Sequence, residues 1–76
     1  MRKIVSLTAM KDFQLLVKFE NGIEKHFDFK PYLNLPVFSI LKNQNLFNKV
    51  NNQGYYIEWQ GQEIDLSADT LWHEGK

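Results

Sequence analysis

One group of side chains in this sequence has the chemical types of a catalytic site. Glu24, His26 and Asp28 occupy alternate positions of a predicted strand, so their side chains point to the same face. The predicted pairing places Ser6 two strands away in the row of His26, which would bring together the groups of a serine-hydrolase triad. Leu16 lies between Ser6 and His26, however, and no strand–turn–helix elbow exposes the serine. We therefore expect a solvated sheet face and no catalytic residue.

The same residues could instead hold a metal ion, since imidazole and carboxylate groups on one strand face can converge on a cation. This set has a single histidine, and the other one, His73, is far away in the sequence. Residues 65–69 imitate the start of a calcium loop, but the position that needs glycine is Thr70 and the one that needs glutamate is Lys76. We predict no metal site and no cofactor.

The register of the second hairpin decides where those polar groups lie. The segment before Asn21-Gly22 alternates apolar and polar residues, which is typical of a half-buried strand. A two-residue turn there would place the two apolar faces on opposite sides of the sheet. A three-residue loop, with the glycine at a left-handed bulge position, joins the faces by placing Leu15 opposite Phe27. On the outer face, Lys18 then lies opposite Glu24 as a cross-strand ion pair.

The first hairpin follows the same reasoning. A loop at residues 10–12 pairs Leu7 with Leu15 and Val5 with Val17, so that three antiparallel strands share one apolar face. A one-residue error in this register would turn a whole face towards water.

The second half of the chain supplies the elements that cover this sheet. Pro31 and Pro36 favour helical turns, because proline is tolerated at the first helical position. Two further strands are predicted at 55–59 and 64–66, and a final helix runs from about Ala68 to Glu74. The apolar stripe of a two-turn central helix comprises Val37, Phe38, Ile40 and Leu41.

Length and composition fit one small domain over residues 1–76. We predict an α+β fold, an antiparallel meander sheet of about five short strands with a short central helix and a C-terminal helix. The chain has no cysteine, which excludes disulfides, thiol nucleophiles and cysteine-ligated zinc. No apolar run is long enough for a membrane span or a signal peptide. We therefore expect a cytoplasmic protein.

Charge divides the chain, although the net charge is +0. Residues 1–54 are basic and residues 55–76 are acidic, and each part offers a candidate surface. An aromatic side chain with a charged rim is typical of protein interfaces, and the predicted partner-binding residues are Glu63, Asp65, Asp69, Trp72 and Glu74. Packing of Trp72 on the sheet is the alternative. Basic residues could contact a nucleic-acid backbone, and the residues for that alternative are Lys11, Lys18, Lys30, Lys42 and Lys49.

Several short segments together resemble the domain-of-unknown-function 2442 family of small bacterial proteins. The likeness spans almost the whole chain. It is carried by residues 13–22 (FQLLVKFENG), 27–33 (FDFKPYL), Val37-Phe38 with Leu41, 47–50 (FNKV), 57–59 (IEW) and 65–72 (DLSADTLW). The resemblance implies a small α+β domain with an antiparallel sheet and no assigned catalytic residues. It also implies that some members carry a helix-turn-helix segment and that others are encoded beside a second small family in a toxin–antitoxin-like arrangement.

These observations predict a non-enzymatic binding module that acts through another protein, in the manner of an antitoxin. A homodimer is a further expectation, because a small sheet with a free edge often pairs with itself. Nucleic-acid binding by the basic half is the alternative function.

Overall fold

The computed structural model describes residues 2–76 and contains two small antiparallel sheets. Sheet A has the order β1-β2-β3 and sheet B the order β4-β5-β6. The strands are β1 (Ile4–Met10), β2 (Gln14–Phe19), β3 (Glu24–Asp28), β4 (Asn51–Asn52), β5 (Tyr56–Trp59) and β6 (Ile64–Ser67). The α+β class is confirmed, but the single meander of about five strands is wrong.

After its long middle connection the chain returns to the first strand, and sheet B begins there. The Ile4 N–H donates to the Gly54 carbonyl at 2.7 Å, and Asn52 Nδ2 donates to the Ile4 carbonyl at 3.0 Å. Residues 52–54 therefore lie beside the start of β1, while β3 stays at the opposite edge of sheet A. At that edge, Lys76 exchanges two backbone hydrogen bonds with His26.

The β2–β3 hairpin has the predicted register. Leu15 lies opposite Phe27 and Lys18 opposite Glu24. The loop closes with a hydrogen bond of 2.9 Å from the Phe19 N–H to the Ile23 carbonyl. Gly22 has a φ of 88°, the left-handed conformation expected at the bulge. Lys18 and Glu24 face each other in register, yet the only ion pair within 4.0 Å among residues 2–76 joins Arg2 to Asp69.

The β1–β2 hairpin is shifted by two residues from the prediction. Leu7 lies opposite Val17 and Ala9 opposite Leu15, so the loop is Lys11–Phe13. Phe13 leaves the strand and packs edge-on against the Phe47 ring, with 5.4 Å between the ring centroids. Because the shift is even, the apolar faces still coincide.

A bulge near the start of β1 and the shifted register of the hairpin correct two further predictions. The register shifts between Ile4 and Ser6, so Ile4 is buried while Val5 is 52% exposed and faces away from the core. Ser6 lies beyond the bulge, and the two-residue shift of the hairpin places it in a row with Lys18 and Glu24, not with His26. The proposed serine–histidine row does not exist in sheet A.

The middle of the chain forms 3₁₀ helices at Lys30–Asn34 and Pro36–Lys42, here called the 3₁₀ pair, followed by α1 (Gln44–Phe47). A 3₁₀ helix has three residues per turn, so residues three apart share a face. Leu41 and Phe38 point towards the core, whereas Val37 and Ile40 are 60% and 50% exposed. The single inward stripe predicted for these four residues is therefore wrong.

The hydrophobic core lies between the two sheets and the 3₁₀ pair, and a cluster of aromatic rings forms part of it. Phe29 contacts the rings of Phe38, Phe47 and Trp59 at centroid distances of 5.2 to 5.6 Å. Trp59 donates its indole N–H to the Phe47 carbonyl at 2.9 Å, which satisfies a buried polar pair. Of the residues that the structure describes, fourteen are buried: Ile4, Leu15, Val17, Phe19, Phe27, Phe29, Leu33, Leu41, Phe47, Ile57, Trp59, Ile64, Ala68 and Leu71.

The last helix, α2 (Ala68–Glu74), covers the end of this core and has the predicted bounds. The Ser67 hydroxyl accepts a hydrogen bond from the Thr70 N–H at 3.1 Å, an N-cap that satisfies a free backbone donor. Within residues 2–76, no helix combines the length and the apolar character needed to cross a membrane.

Candidate functional site

Trp72, the centre of the predicted partner site, packs on sheet A. Its ring meets Phe19 edge-on, with 5.1 Å between centroids. The Arg2 guanidinium carbon lies 4.3 Å and the Lys25 ammonium 4.6 Å from the centroid of its ring. Arg2 also pairs with Asp69 at 4.0 Å. Trp72 therefore contacts Phe19, Arg2 and Lys25 of the same chain, and Asp69 pairs with Arg2.

The other predicted acidic residues lie elsewhere on the molecule. Glu63 and Asp65 belong to the β5–β6 hairpin, where Asp65 stands directly opposite Glu58. Glu74 lines a cleft beside His26 at the outer edge of β3. The structure thus brings Asp69 and Trp72 together and Glu63 and Asp65 together, but does not gather all five into one surface.

The lysines of the nucleic-acid alternative are exposed and spread over several elements. Lys18 lies on the outer face of sheet A, in register with Glu24. Lys11 is in the β1–β2 loop, and Lys49 follows α1. Lys30 and Lys42 occupy the first and last positions of the 3₁₀ pair. Binding of nucleic acid by these residues stays a prediction.

The outer face of sheet A carries the polar group considered for catalysis. His26 shares its row with Thr8 and Leu16. Burial raises the pKa of the Asp28 carboxyl, but hydrogen bonds from the Lys30 N–H and the Gln14 amide, with the charges of Lys30 and His26, outweigh it and hold the pKa below its ordinary value of 3.8. The same hydrogen bonds hold the Asp28 carboxylate in position. Residues 2–76 contain no group of three or more His, Asp or Glu side chains placed to share a metal ion.

Three aliphatic side chains on and between the helices of the 3₁₀ pair are exposed. Leu35, Val37 and Ile40 are 48%, 60% and 50% exposed. Residues 31–41 contain no charged side chain, so nothing charged interrupts the patch along the chain. We call these three residues the 3₁₀ patch.

Comparison with known proteins identifies the family. The model of the family described as "Protein of unknown function (DUF2442)" matches residues 4–76, nearly the whole chain. The protein belongs to the DUF2442 family. The resemblance noted in the sequence is therefore confirmed. Neither a curated protein nor a solved structure matches the chain.

In this DUF2442 protein, the 3₁₀ patch was missed by sequence reasoning because a helical period of 3.6 was assumed for the middle segment. With that period, Val37, Phe38, Ile40 and Leu41 fall on one stripe. Two signals could have found the patch. The uncharged stretch of residues 31–41 is long for an exposed connection, and proline at 31 and 36 restarts the helix after five residues.

Proposed function

We propose that this protein is a non-enzymatic cytoplasmic binding module that acts through another small protein, as an antitoxin acts on its toxin, and that it contacts this partner with the 3₁₀ patch. The observation that carries the proposal is the exposure of Leu35, Val37 and Ile40 by about half each. Full burial of one such side chain stabilises by about 1.5–3 kcal/mol. Covering the exposed halves of three would contribute roughly 2–4 kcal/mol before the costs of association.

The charges around the patch indicate what kind of partner fits. Lys30 and Lys42 bound the 3₁₀ pair at its two ends, and both side chains are exposed. A partner segment with aliphatic or aromatic anchors and acidic residues on either side would complement them. Buried apolar anchors with a charged rim are the usual arrangement of a protein interface.

The family supports a protein partner in a second way. The toxin–antitoxin-like gene arrangement implied by the resemblance supplies a concrete candidate, the product of the neighbouring gene. The acidic residues predicted earlier take a different part in this proposal. Asp69 and Trp72 help to hold the fold, while Glu63 and Asp65 remain free for a second contact.

The test compares two isoleucines of nearly equal exposure. Ile40, in the patch, is 50% exposed, and Ile23, in the β2–β3 loop, is 47% exposed. Each is changed to glutamate, and the tagged variants are co-expressed with the neighbouring gene product. We expect Ile40→Glu to weaken the complex by at least about tenfold, because burying an unpaired charge is costly, and Ile23→Glu to bind like the parent chain.

Two results would oppose the proposal. One is equal binding by both variants, which would remove the patch from the interface. The other is a protein that sediments as a dimer with the neighbouring product absent and becomes monomeric in Ile40→Glu, which would assign the patch to self-association. Circular dichroism of both variants checks that neither change unfolds the chain.

A further inference from the structure

A cleft of about 440 Å³ opens between the edge of β3, the first helix of the 3₁₀ pair and the end of α2. Aromatic and acidic side chains share its lining. The rings of Phe27 and Tyr32 stack with 5.3 Å between centroids and 25° between planes, and Phe27 is buried beneath the partly buried Tyr32. The carboxylates of Asp28 and Glu74 line the same cleft.

Hydrogen bonds within the protein hold one carboxylate oxygen of Asp28, and the other oxygen can accept a further hydrogen bond. Its Oδ1 accepts hydrogen bonds from Gln14 Nε2 at 2.8 Å and from the Lys30 N–H at 3.0 Å. Among residues 2–76, no donor is bonded to Oδ2. A carboxylate that is fixed before binding loses little conformational entropy when it accepts a further hydrogen bond.

The protein already uses such a combination once, within its own chain. At α2, an aromatic ring and a carboxylate, those of Trp72 and Asp69, hold the guanidinium of Arg2. Arg2 is the only arginine of the sequence. A guanidinium in the cleft beside Tyr32 and Asp28 must therefore come from outside the chain.

We propose that this cleft binds a guanidinium group, with Asp28 as its carboxylate partner, Tyr32 as its stacking surface and Glu74 as a second acidic wall. A guanidinium fits better than an ammonium because it is planar, weakly hydrated and able to stack on a ring while it donates to a carboxylate. Lys76 lines the cleft as well and opposes the bound cation by charge repulsion. This site is separate from the 3₁₀ patch, so it does not depend on the proposed function.

The guanidinium could belong to an arginine of another protein or to a free small molecule. Titrations of the ¹⁵N-labelled full chain, followed by two-dimensional NMR, separate the two sources. One arm uses Nα-acetyl-arginine methylamide, which imitates an arginine within a chain, and another uses free arginine. Nα-acetyl-citrulline methylamide has nearly the same shape without the charge, and Nα-acetyl-lysine methylamide tests the ammonium.

We expect saturable shifts confined to residues 26–32 and 74–76, with a Kd of about 1 mM, as is usual for a fragment-sized ligand. The lysine probe should bind several-fold more weakly, and the citrulline probe should cause no saturable shift. Tighter binding of the blocked arginine than of free arginine supports a protein source, and the reverse supports a small molecule. Both results agree with a guanidinium site.

Single-residue variants show which side chains contribute to the affinity for the arginine probe. Asp28→Asn keeps the Oδ1 acceptor but removes the charge, and it should weaken binding by about tenfold. Lys76→Ala should strengthen it, while Asp65→Asn, on sheet B, should leave it unchanged. Equal responses to arginine and citrulline, an unchanged affinity in Asp28→Asn, or shifts centred on Trp72 would each overturn the proposal.

Discussion

Sheet B contains a pair of like charges whose cost can be measured. Glu58 of β5 and Asp65 of β6 stand directly opposite each other on the outer face. Like charges at such positions destabilise an antiparallel pair. Replacing Glu58 by glutamine removes the repulsion with little change of shape, and replacing it by lysine converts the repulsion into attraction. Both variants should therefore be more stable than the parent protein.

The expected gain follows from Coulomb's law. Carboxylates on opposed residues lie about 6 Å apart, and in water their repulsion is about 0.7 kcal/mol, which screening at physiological salt reduces to roughly 0.3. Glu58→Gln should gain about 0.3–0.7 kcal/mol, and Glu58→Lys about twice as much. For a domain of this size, 1 kcal/mol raises Tm by about 4–8 °C.

The assay is urea unfolding at low salt and at 1 M NaCl. Glu24 gives the matched control, because it lies opposite Lys18 on the outer face of sheet A. Glu24→Lys creates the repulsion that Glu58→Lys removes, so it should be destabilised by a similar amount. Both effects should shrink at high salt. The reasoning would be refuted if Glu24→Lys were more stable than the parent, or if the stability gain of Glu58→Lys were the same at low salt and at 1 M NaCl.

Three other perturbations test separate parts of the fold. Trp59→Phe removes the donor to the Phe47 carbonyl and leaves a small cavity, so urea unfolding should show a loss of about 2–4 kcal/mol. Glu63 has a φ of 55°, and Glu63→Gly should gain up to about 1 kcal/mol in the same assay. Since the pKa of Asp28 is lowered on folding, this carboxyl contributes stability above pH 3.8 that is lost as the pH falls through its folded-state value. Acid titration followed by circular dichroism should therefore show that Asp28→Asn loses folded protein less steeply than the parent as the pH falls. Identical curves for the two proteins would contradict that sign.

The β2–β3 hairpin shows how far local pattern reaches. Asn21-Gly22 marked the position of the turn, and a three-residue loop joined the two apolar faces where a two-residue turn would not, so the pairing of Leu15 with Phe27 was predictable. The C-terminal helix could also be predicted from the sequence, because its serine cap lies next to its first residue in the chain. Such signals span a few residues and do not depend on distant parts of the molecule.

The β1–β2 hairpin shows where local pattern fails. Loops that differ by two residues place the same side chains on the same face, so alternation cannot distinguish them. The packing of Phe13 selects the observed register, because its ring leaves the strand and packs on Phe47, thirty-four positions along the chain. The candidate site had the same weakness, because the two-residue difference in this loop moved Ser6 from the row of His26 to the row of Lys18 and Glu24.

By itself, the sequence determined the family, the α+β class, one hairpin and the final helix, since these depend on periodicity, turn residues and caps that act over short distances. Tertiary structure alone decided that β4 lies beside β1, that Trp72 lies under Arg2 and Lys25, and that Val37 and Ile40 face outward. These outcomes depend on which distant surfaces bury one another. The free energy of that burial is a property of the assembled core, and no single segment contains it.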